Sequence, residues 1–307
     1  IRIDNTCAGY LSNSYSDWSY LLSADWKPSN SMLFYAKTSR GFKGGGQNLR
    51  GQASDVRSFN PFTPETVTDY EIGAKLDLLD RRLRFNLAGY HAIYDDIQRS
   101  TSIQLASGGA STLVTNAAKA TINGVELEMT ARPTDALTLN VNASYTDASY
   151  DSFNDATIGD RSAERFPVPR WTVATNLTYE LPTSAGDLKF IAGWNWRSAT
   201  QMRPAALVLS SVTQKAYGLV DARVSLHVDA IDADVAIFAK NLLDKEYLVG
   251  AVDLDRSLGF NIVNVGTPRV IGVEFRKSFG SRYCDRGAIV SLTARDGTAP
   301  PPMWRMI

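Results

Sequence analysis

Within the stretch from Thr121 to Tyr145, apolar and polar residues alternate one for one over Val125–Arg132 and again over Leu137–Tyr145. Val125, Leu127, Met129 and Ala131 fall between Glu126, Glu128, Thr130 and Arg132. After a Pro133-Thr134-Asp135 turn, Leu137, Leu139, Val141, Ala143 and Tyr145 fall between Thr138, Asn140, Asn142 and Ser144. Period 2 predicts a β-hairpin with one apolar and one wet face. Each arm runs for roughly 9 residues or more, against about 5–6 in the strands of soluble domains. A tilted strand needs about 9–11 residues to cross a bilayer, so repetition of this pattern predicts a membrane barrel.

The pattern does repeat. Trp18–Trp26, Met32–Gly41, Tyr70–Leu78, Leu83–Tyr94, Trp171–Glu180, Leu188–Trp196, Val220–Asp229, Val235–Asn241 and Ile271–Phe279 all read as amphipathic strands, and Ile1–Asn5 as the tail of another. Short polar links (Lys27–Asn30, Asp80-Arg81, Pro182–Gly186, Ala230–Ala233) alternate with long segments without periodicity: Phe42–Pro64, Gln98–Thr115, Ser149–Pro169, Ala199–Ala216 and Leu242–Thr267. Outer-membrane barrels show this asymmetry, with tight turns on one side and longer loops on the other, here 2–5 against 18–26 residues. The predicted fold is all-β: an antiparallel up-and-down transmembrane β-barrel, present as a partial barrel of about 11–12 strands.

Composition changes little in this picture. The 307 residues carry 32 Lys+Arg and 32 Asp+Glu, a formal net charge of +0. Nucleic-acid binding wants a basic excess, so no nucleic-acid partner is expected. No apolar run reaches the length of roughly 18 residues that a transmembrane helix needs, and a barrel escapes that test because half its strand residues face a polar interior. The 6 Trp and 13 Tyr suit interfacial girdles or an aromatic-rich soluble sheet. Cys7 and Cys284 match no zinc or redox spacing, and a disulfide between them is left open. The chain begins at Ile1 without a signal-peptide pattern, and is read as an excerpt of a longer precursor.

Candidate chemistry is sparse. Gly44-Gly45-Gly46 lacks the Lys-Ser/Thr ending of a phosphate-binding loop, and Asp95-Asp96 has no partner ligands at a defined spacing. His91 and His227 are the only histidines and read as polar wall residues. No Ser-His-Asp order, HExxH or zinc pattern occurs. No enzymatic activity, metal or cofactor is expected. Charges of both signs on the strands cannot face lipid, where Arg or Lys costs about 2–4 kcal/mol at the midplane. Glu126, Glu128, Arg132, Asn140, Asn142 and Arg223 are therefore expected on a lumen-facing wall. Loop arginines Arg50, Arg57, Arg161, Arg165 and Arg203 are candidates to meet an anionic ligand.

Five segments carry a family resemblance: FYAKTSRGFKGGGQN (Phe34–Asn48), ETVTDYEIGAKLDLLDRRLRFNLAGYHAIYDDIQ (Glu65–Gln98), NAAKATINGVELEMTARP (Asn116–Pro133), AIFAKNLLDKEYLV (Ala236–Val249) and GTPRVIGVEFRKSF (Gly266–Phe279). In this order they resemble the C-terminal half of the barrel of a TonB-dependent outer-membrane receptor. The resemblance implies a 22-stranded parent barrel, of which this chain supplies about half. It also implies a plug domain, a TonB-contacting segment and a signal peptide upstream. Phe279 matches the terminal aromatic that barrel-assembly machinery reads. Residues 1–279 are thus taken as the half-barrel. Residues 280–307, with Cys284 and Pro300-Pro301-Pro302, are taken as an atypical tail, disordered or read-through. The implied function is TonB-energised uptake of a scarce nutrient, a ferric siderophore before cobalamin, haem or glycans, in a Gram-negative outer membrane. Outer-membrane lipid, TonB through the missing plug, the assembly machinery and the siderophore are the implied partners.

Two other readings fit the alternation. A complete barrel of about 12 strands, a pore or barrel enzyme, requires Ile1–Asn5 to pair with the strand ending at Phe279. A secreted soluble β protein that binds glycans requires a second layer over the apolar face.

Overall fold

Strand after strand alternates at period 2, so one face of each is oily and one is wet, and antiparallel pairing lines these faces up into a continuous sheet. The computed structural model describes residues 2–3, 9–10, 12–48, 59–104, 110–155, 159–202, 213–253, 260–279, 288–295 and 304–306. A short pair, β1 (Arg2–Ile3) and β2 (Gly9–Tyr10), precedes the wall. The wall begins with β3 (Tyr20–Ser29), β4 (Met32–Lys43), β5 (Glu65–Leu78), β6 (Leu83–Gln104), β7 (Ala110–Ala131) and β8 (Leu137–Asp155). The two-residue β9 (Gly159–Asp160) pairs with the end of β8. The wall continues with β10 (Trp171–Thr183) and β11 (Gly186–Arg197). A small hairpin, β12 (Thr200–Gln201) with β13 (Thr213–Gln214), interrupts it before β14 (Tyr217–Val228) and β15 (Ala233–Lys240). A second hairpin, β16 (Leu248–Asp253) with β17 (Asn261–Val265), leads to β18 (Val270–Phe279) and β19 (Ala288–Arg295). The last strand, β20 (Trp304–Met306), pairs with β17.

Twelve strands form one antiparallel meander in the order β19-β18-β15-β14-β11-β10-β8-β7-β6-β5-β4-β3. Among the described residues its edges, β3 and β19, do not pair with each other, so the sheet is open: a partial barrel. Arg2–Ile3 pairs with Gly9–Tyr10 rather than with β18, so the pairing that a complete small barrel requires is not made. Among the described residues no second layer covers the apolar face: Leu22, Ile72, Leu177 and Ile237 are exposed on it. The tail contributes β19, whose register sets Leu292 opposite Phe275 and Thr293 opposite Glu274, in step with the alternation of the wall.

Two expected loops are shorter than their sequence suggests. Residues 98–104 and 110–115 are paired strand, extending the β6–β7 hairpin, and β8 runs on to Asp155. Ser100-Thr101-Ser102 and Ser111-Thr112 carry no apolar alternation, because above the membrane both faces meet water; backbone pairing needs no oily face there. A bulge between Tyr94 and Ile97, with Asp96 at φ 55, re-aims β6 at that level.

Aromatic residues cluster at two levels of the apolar face. Near the short turns lie the Trp26–Phe34 and Tyr179–Phe190 pairs, with centroids 5.5 and 6.3 Å apart. Toward the long links lie Tyr145–Trp171, 4.8 Å apart, and Tyr70 over His91. Trp171 and Tyr179 share β10; at about 3.3 Å per residue they stand roughly 26 Å apart along the strand, or about 20 Å in height at a tilt of about 40°, of the order of the apolar band about 25 Å tall. One transverse row of partners starts at Trp26, near a short turn, and passes through Phe34, Ala74, Leu87, Leu127, Ala143 and Val173 to Trp196, at the long-link end of β11. Rows that climb from one rim to the other are the mark of strands tilted as in a barrel.

Candidate functional site

The opposite face of the wall is a continuous polar surface, and the pairing register builds it. Glu126 is in line with Ser144, Thr172 and Arg197; Glu128 with Asn142 and Asn195; Thr130 with Asn140, Asn176 and Asp221. Glu126, Glu128, Asn140, Asn142 and Arg223 therefore share this face, and Arg132, just past β7, turns its Nε toward Thr138 at 3.4 Å. Several of the face's charges are met in pairs. Glu71 accepts from the Tyr35 hydroxyl at 2.6 Å and pairs with Lys37 Nζ at 2.7 Å. Glu274 takes Arg223 at 3.1 Å and Arg276 at 3.2 Å, and Lys189 pairs with Glu180 at 2.6 Å. Thr130 donates to Asn140 at 2.9 Å, and Asn86 to Glu128 at 3.3 Å. A broad depression of about 980 Å³ lies over Asn140, Asn142, Asn176, Asn195, Arg223 and Glu274. It offers amide donors and acceptors with charges of both signs.

At the long-link end this surface carries an aromatic and guanidinium cluster. Ile97, Ala118, Ala120, Tyr150 and Phe153 are buried, with Tyr94 and Phe166 packed against them. Arg99 lies over the rings of Tyr150 and Phe166, 5.6 and 5.5 Å from their centroids, and donates to the Tyr150 hydroxyl at 2.8 Å. Burial pushes the Tyr150 phenol above its ordinary range. Arg161 lies over Phe153 at 4.5 Å and pairs with Glu164, its Nε at 2.5 Å from Oε1. Asn48 clamps the preceding loop to the wall, donating to Asn60 O and Val114 O and accepting from Val114 N.

The loop arginines fare differently. Arg161 is anchored as just described, and Arg165 is exposed beside it. Arg50, Arg57 and Arg203, like Cys7 and Cys284, lie outside the described residues. Arg99 lies in a segment that reads as loop in the sequence; the signal that points to the cluster is the aromatic set Tyr150, Phe153 and Phe166 close to Arg161 and Arg165. His227 sits on the polar face with its Nδ1 2.9 Å from Asp234 Oδ1. His91 is on the apolar face, where its Nδ1 meets Asn123 Oδ1 at 2.7 Å. Among the described residues, no group of three His, Cys, Asp or Glu is placed to hold a metal ion. Phe279 closes β18, paired with Ala288.

Residues 2–265 match the family model described as TonB dependent receptor-like, beta-barrel. The chain belongs to this family of TonB-dependent receptors. These are receptors and transporters of the Gram-negative outer membrane, and that membrane is the hydrocarbon against which the apolar face lies. Over 219 residues the chain is 26% identical to the ferric-pyoverdine 358 receptor of Pseudomonas putida, covering 71% of this chain and 25% of that protein. The crystal structure of the ferric yersiniabactin uptake receptor FyuA from Yersinia pestis matches with a TM-score of 0.70 at 20% identity, over 85% of this chain and 37% of that one. The ferripyoverdine receptor of the outer membrane of Pseudomonas aeruginosa matches with a TM-score of 0.59 at 17% identity, over 82% and 32%. The chain thus spans a quarter of the curated relative and about a third of these solved TonB-dependent receptors.

Proposed function

We propose that this half-wall belongs to a receptor that takes up a ferric siderophore with energy delivered by TonB. The match of residues 2–265 to the family, with relatives named for ferric pyoverdine and ferric yersiniabactin, carries this reading. The polar face, with charges of both signs and several ion pairs, serves as lumen wall toward a plug domain supplied by the rest of the receptor, and TonB acts through that plug. Glu126, Glu128, Arg132, Asn140, Asn142 and Arg223 are its lumen-facing residues. Arg50, Arg57, Arg165 and Arg203 approach the anionic ligand from the outer loops, and Arg161 holds the loop that presents Arg165. The role is uptake, with no chemical step on the ligand. Phe279 serves as the signal to the assembly machinery, and residues 280–307 are an extension beyond the family barrel.

Growth under iron limitation tests this. A siderophore-receptor-deficient host carrying the intact receptor is supplied in turn with ferric pyoverdine, ferric yersiniabactin, ferric citrate and cobalamin, with and without TonB. TonB-dependent rescue by an iron complex is expected; rescue by cobalamin alone, or rescue independent of TonB, overturns the reading.

A further inference from the structure

On the membrane-facing surface, a row of partners runs from Ala24 through Ala36, Ile72, Gly89 and Val125 to Tyr145. Gly89 and the two alanines leave a gap between larger neighbours. The result is a groove of about 850 Å³ with a floor at Ala36 and Gly89 and sides at Leu22, Ile72, Val125 and Tyr145. Its solvent is lipid, because the surface that carries it faces hydrocarbon. The groove opens toward the long links, at the level of the Tyr145–Trp171 girdle. There the next row places Thr38, Tyr70, His91 and Asn123 side by side, with His91 joined to Asn123 at 2.7 Å. The charges above are already paired: Arg40 with Asp17 at 2.7 Å and Lys119 with Asp95 at 3.0 Å. The mouth therefore presents the hydrogen-bonding groups of Thr38, Tyr70, His91 and Asn123 with no unpaired Lys or Arg among them.

We propose that this groove is a binding site for one acyl chain of an outer-leaflet glycolipid, with the sugar-linked amide and hydroxyl groups of the headgroup meeting His91 and Asn123. The apolar floor accounts for the chain, the long-link side for the leaflet, and the mouth without an unpaired Lys or Arg for a sugar in preference to a bare phosphate. The inference rests on the outer-membrane placement of the chain and not on which ligand is transported.

Gly89 makes the test sharp. A Cβ there would meet only Gly124 O, at 3.9 Å, an ordinary contact, so Gly89→Leu fills the groove without disturbing the wall. The intact receptor, purified in mild detergent and stripped of lipid, is titrated with rough-type lipopolysaccharide and followed by native mass spectrometry. Heat-modifiable migration on gels confirms folding. The wild-type protein is expected to take up one lipopolysaccharide that Gly89→Leu binds about tenfold more weakly, as loss of contact with a few methylenes requires. Asn123→Ala is expected to weaken the same step while leaving phosphatidylethanolamine adducts unchanged. If Gly89→Leu does not fold, Ala36→Leu, which fills the groove from its other side, is read in the same way. Identical adduct series for wild-type and filled-groove proteins, or equal occupancy of that step by phosphatidylethanolamine, would overturn the proposal.

Discussion

The Tyr35 ring lies across Gly73 on the neighbouring strand, and its hydroxyl donates to Glu71 two residues away at 2.6 Å. A Cβ on Gly73 would come within 2.5 Å of that ring, so the glycine is the seat the tyrosine needs. Tyr90 covers Gly124 in the same manner and shares a hydrogen bond with Thr146 at 3.3 Å. Gly73→Val is expected to destabilise the barrel by about 1–3 kcal/mol, the usual cost of overpacking. Tyr35→Ala combined with Gly73→Val should cost less than the two single changes added together, because the clash is removed. Urea unfolding of the intact receptor in micelles checks both.

Depth in the membrane grades the next prediction. Leu139 is only two residues inside β8, near the short-turn rim, whereas Val141 is midway between Leu137 and the Tyr145 girdle. Val141→Arg is expected to cost about 2–4 kcal/mol and to abolish folded barrel in outer-membrane fractions, and Leu139→Arg is expected to cost less. Asn142→Arg, on the polar face, should fold normally. Heat-modifiable migration of the three variants gives the comparison.

The Arg161–Glu164 pair holds the loop over Phe153, with side chains only 9% and 11% exposed. Removing one partner of so enclosed a pair costs about 3–5 kcal/mol. Glu164→Ala is therefore expected to free the segment 159–170 while the wall stays folded. Limited proteolysis should cut there first, and ligand affinity should fall in the same variant.

Asp17 supplies a pH test. Its hydrogen bonds to the Arg40 guanidinium hold its carboxyl below the ordinary value of 3.8. A carboxylate with a lowered pKa stabilises the folded arrangement above that ordinary value, and the contribution fades as pH falls through the lowered one. Arg40 also lies over Trp18 at 5.4 Å. Trp18 fluorescence, isolated by difference against Trp18→Phe, should shift only below about pH 3.8. Asp17→Asn should show the shifted signal at every pH.

Between the girdles the sequence was a faithful guide, because hydrocarbon on one side and water on the other force period 2 on every strand. Val125 to Ala131 and Leu139 to Tyr145 pair as the alternation requires. Beyond the girdles that force is gone. The β6–β7 extension to Gln104 and Ala110 is a ladder of backbone pairs, joined by side-chain bonds from the distant Asn48 and from Arg99 to Tyr150, and no period-2 pattern marks it in the sequence. The same loss hid Arg99, whose place between Tyr150 and Phe166 follows from the bulge in β6 and from the fold of a distant loop. His91 reads as a polar wall residue from its chemistry, yet it shares the parity of Leu83, Phe85 and Leu87; the register confirms that it stands on the apolar face and adds its neighbour Asn123.

Neighbouring positions on β10 test the account most directly, because Asn176 and Leu177 point to opposite faces of the wall. A spin label is placed at each in turn in the intact receptor reconstituted in bilayers, with its native cysteines replaced. The account predicts a label at Leu177 that collides freely with oxygen and is shielded from a water-soluble nickel chelate, and a label at Asn176 with the reverse profile. Equal profiles at the two sites, or nickel access at Leu177 with oxygen access at Asn176, would contradict it.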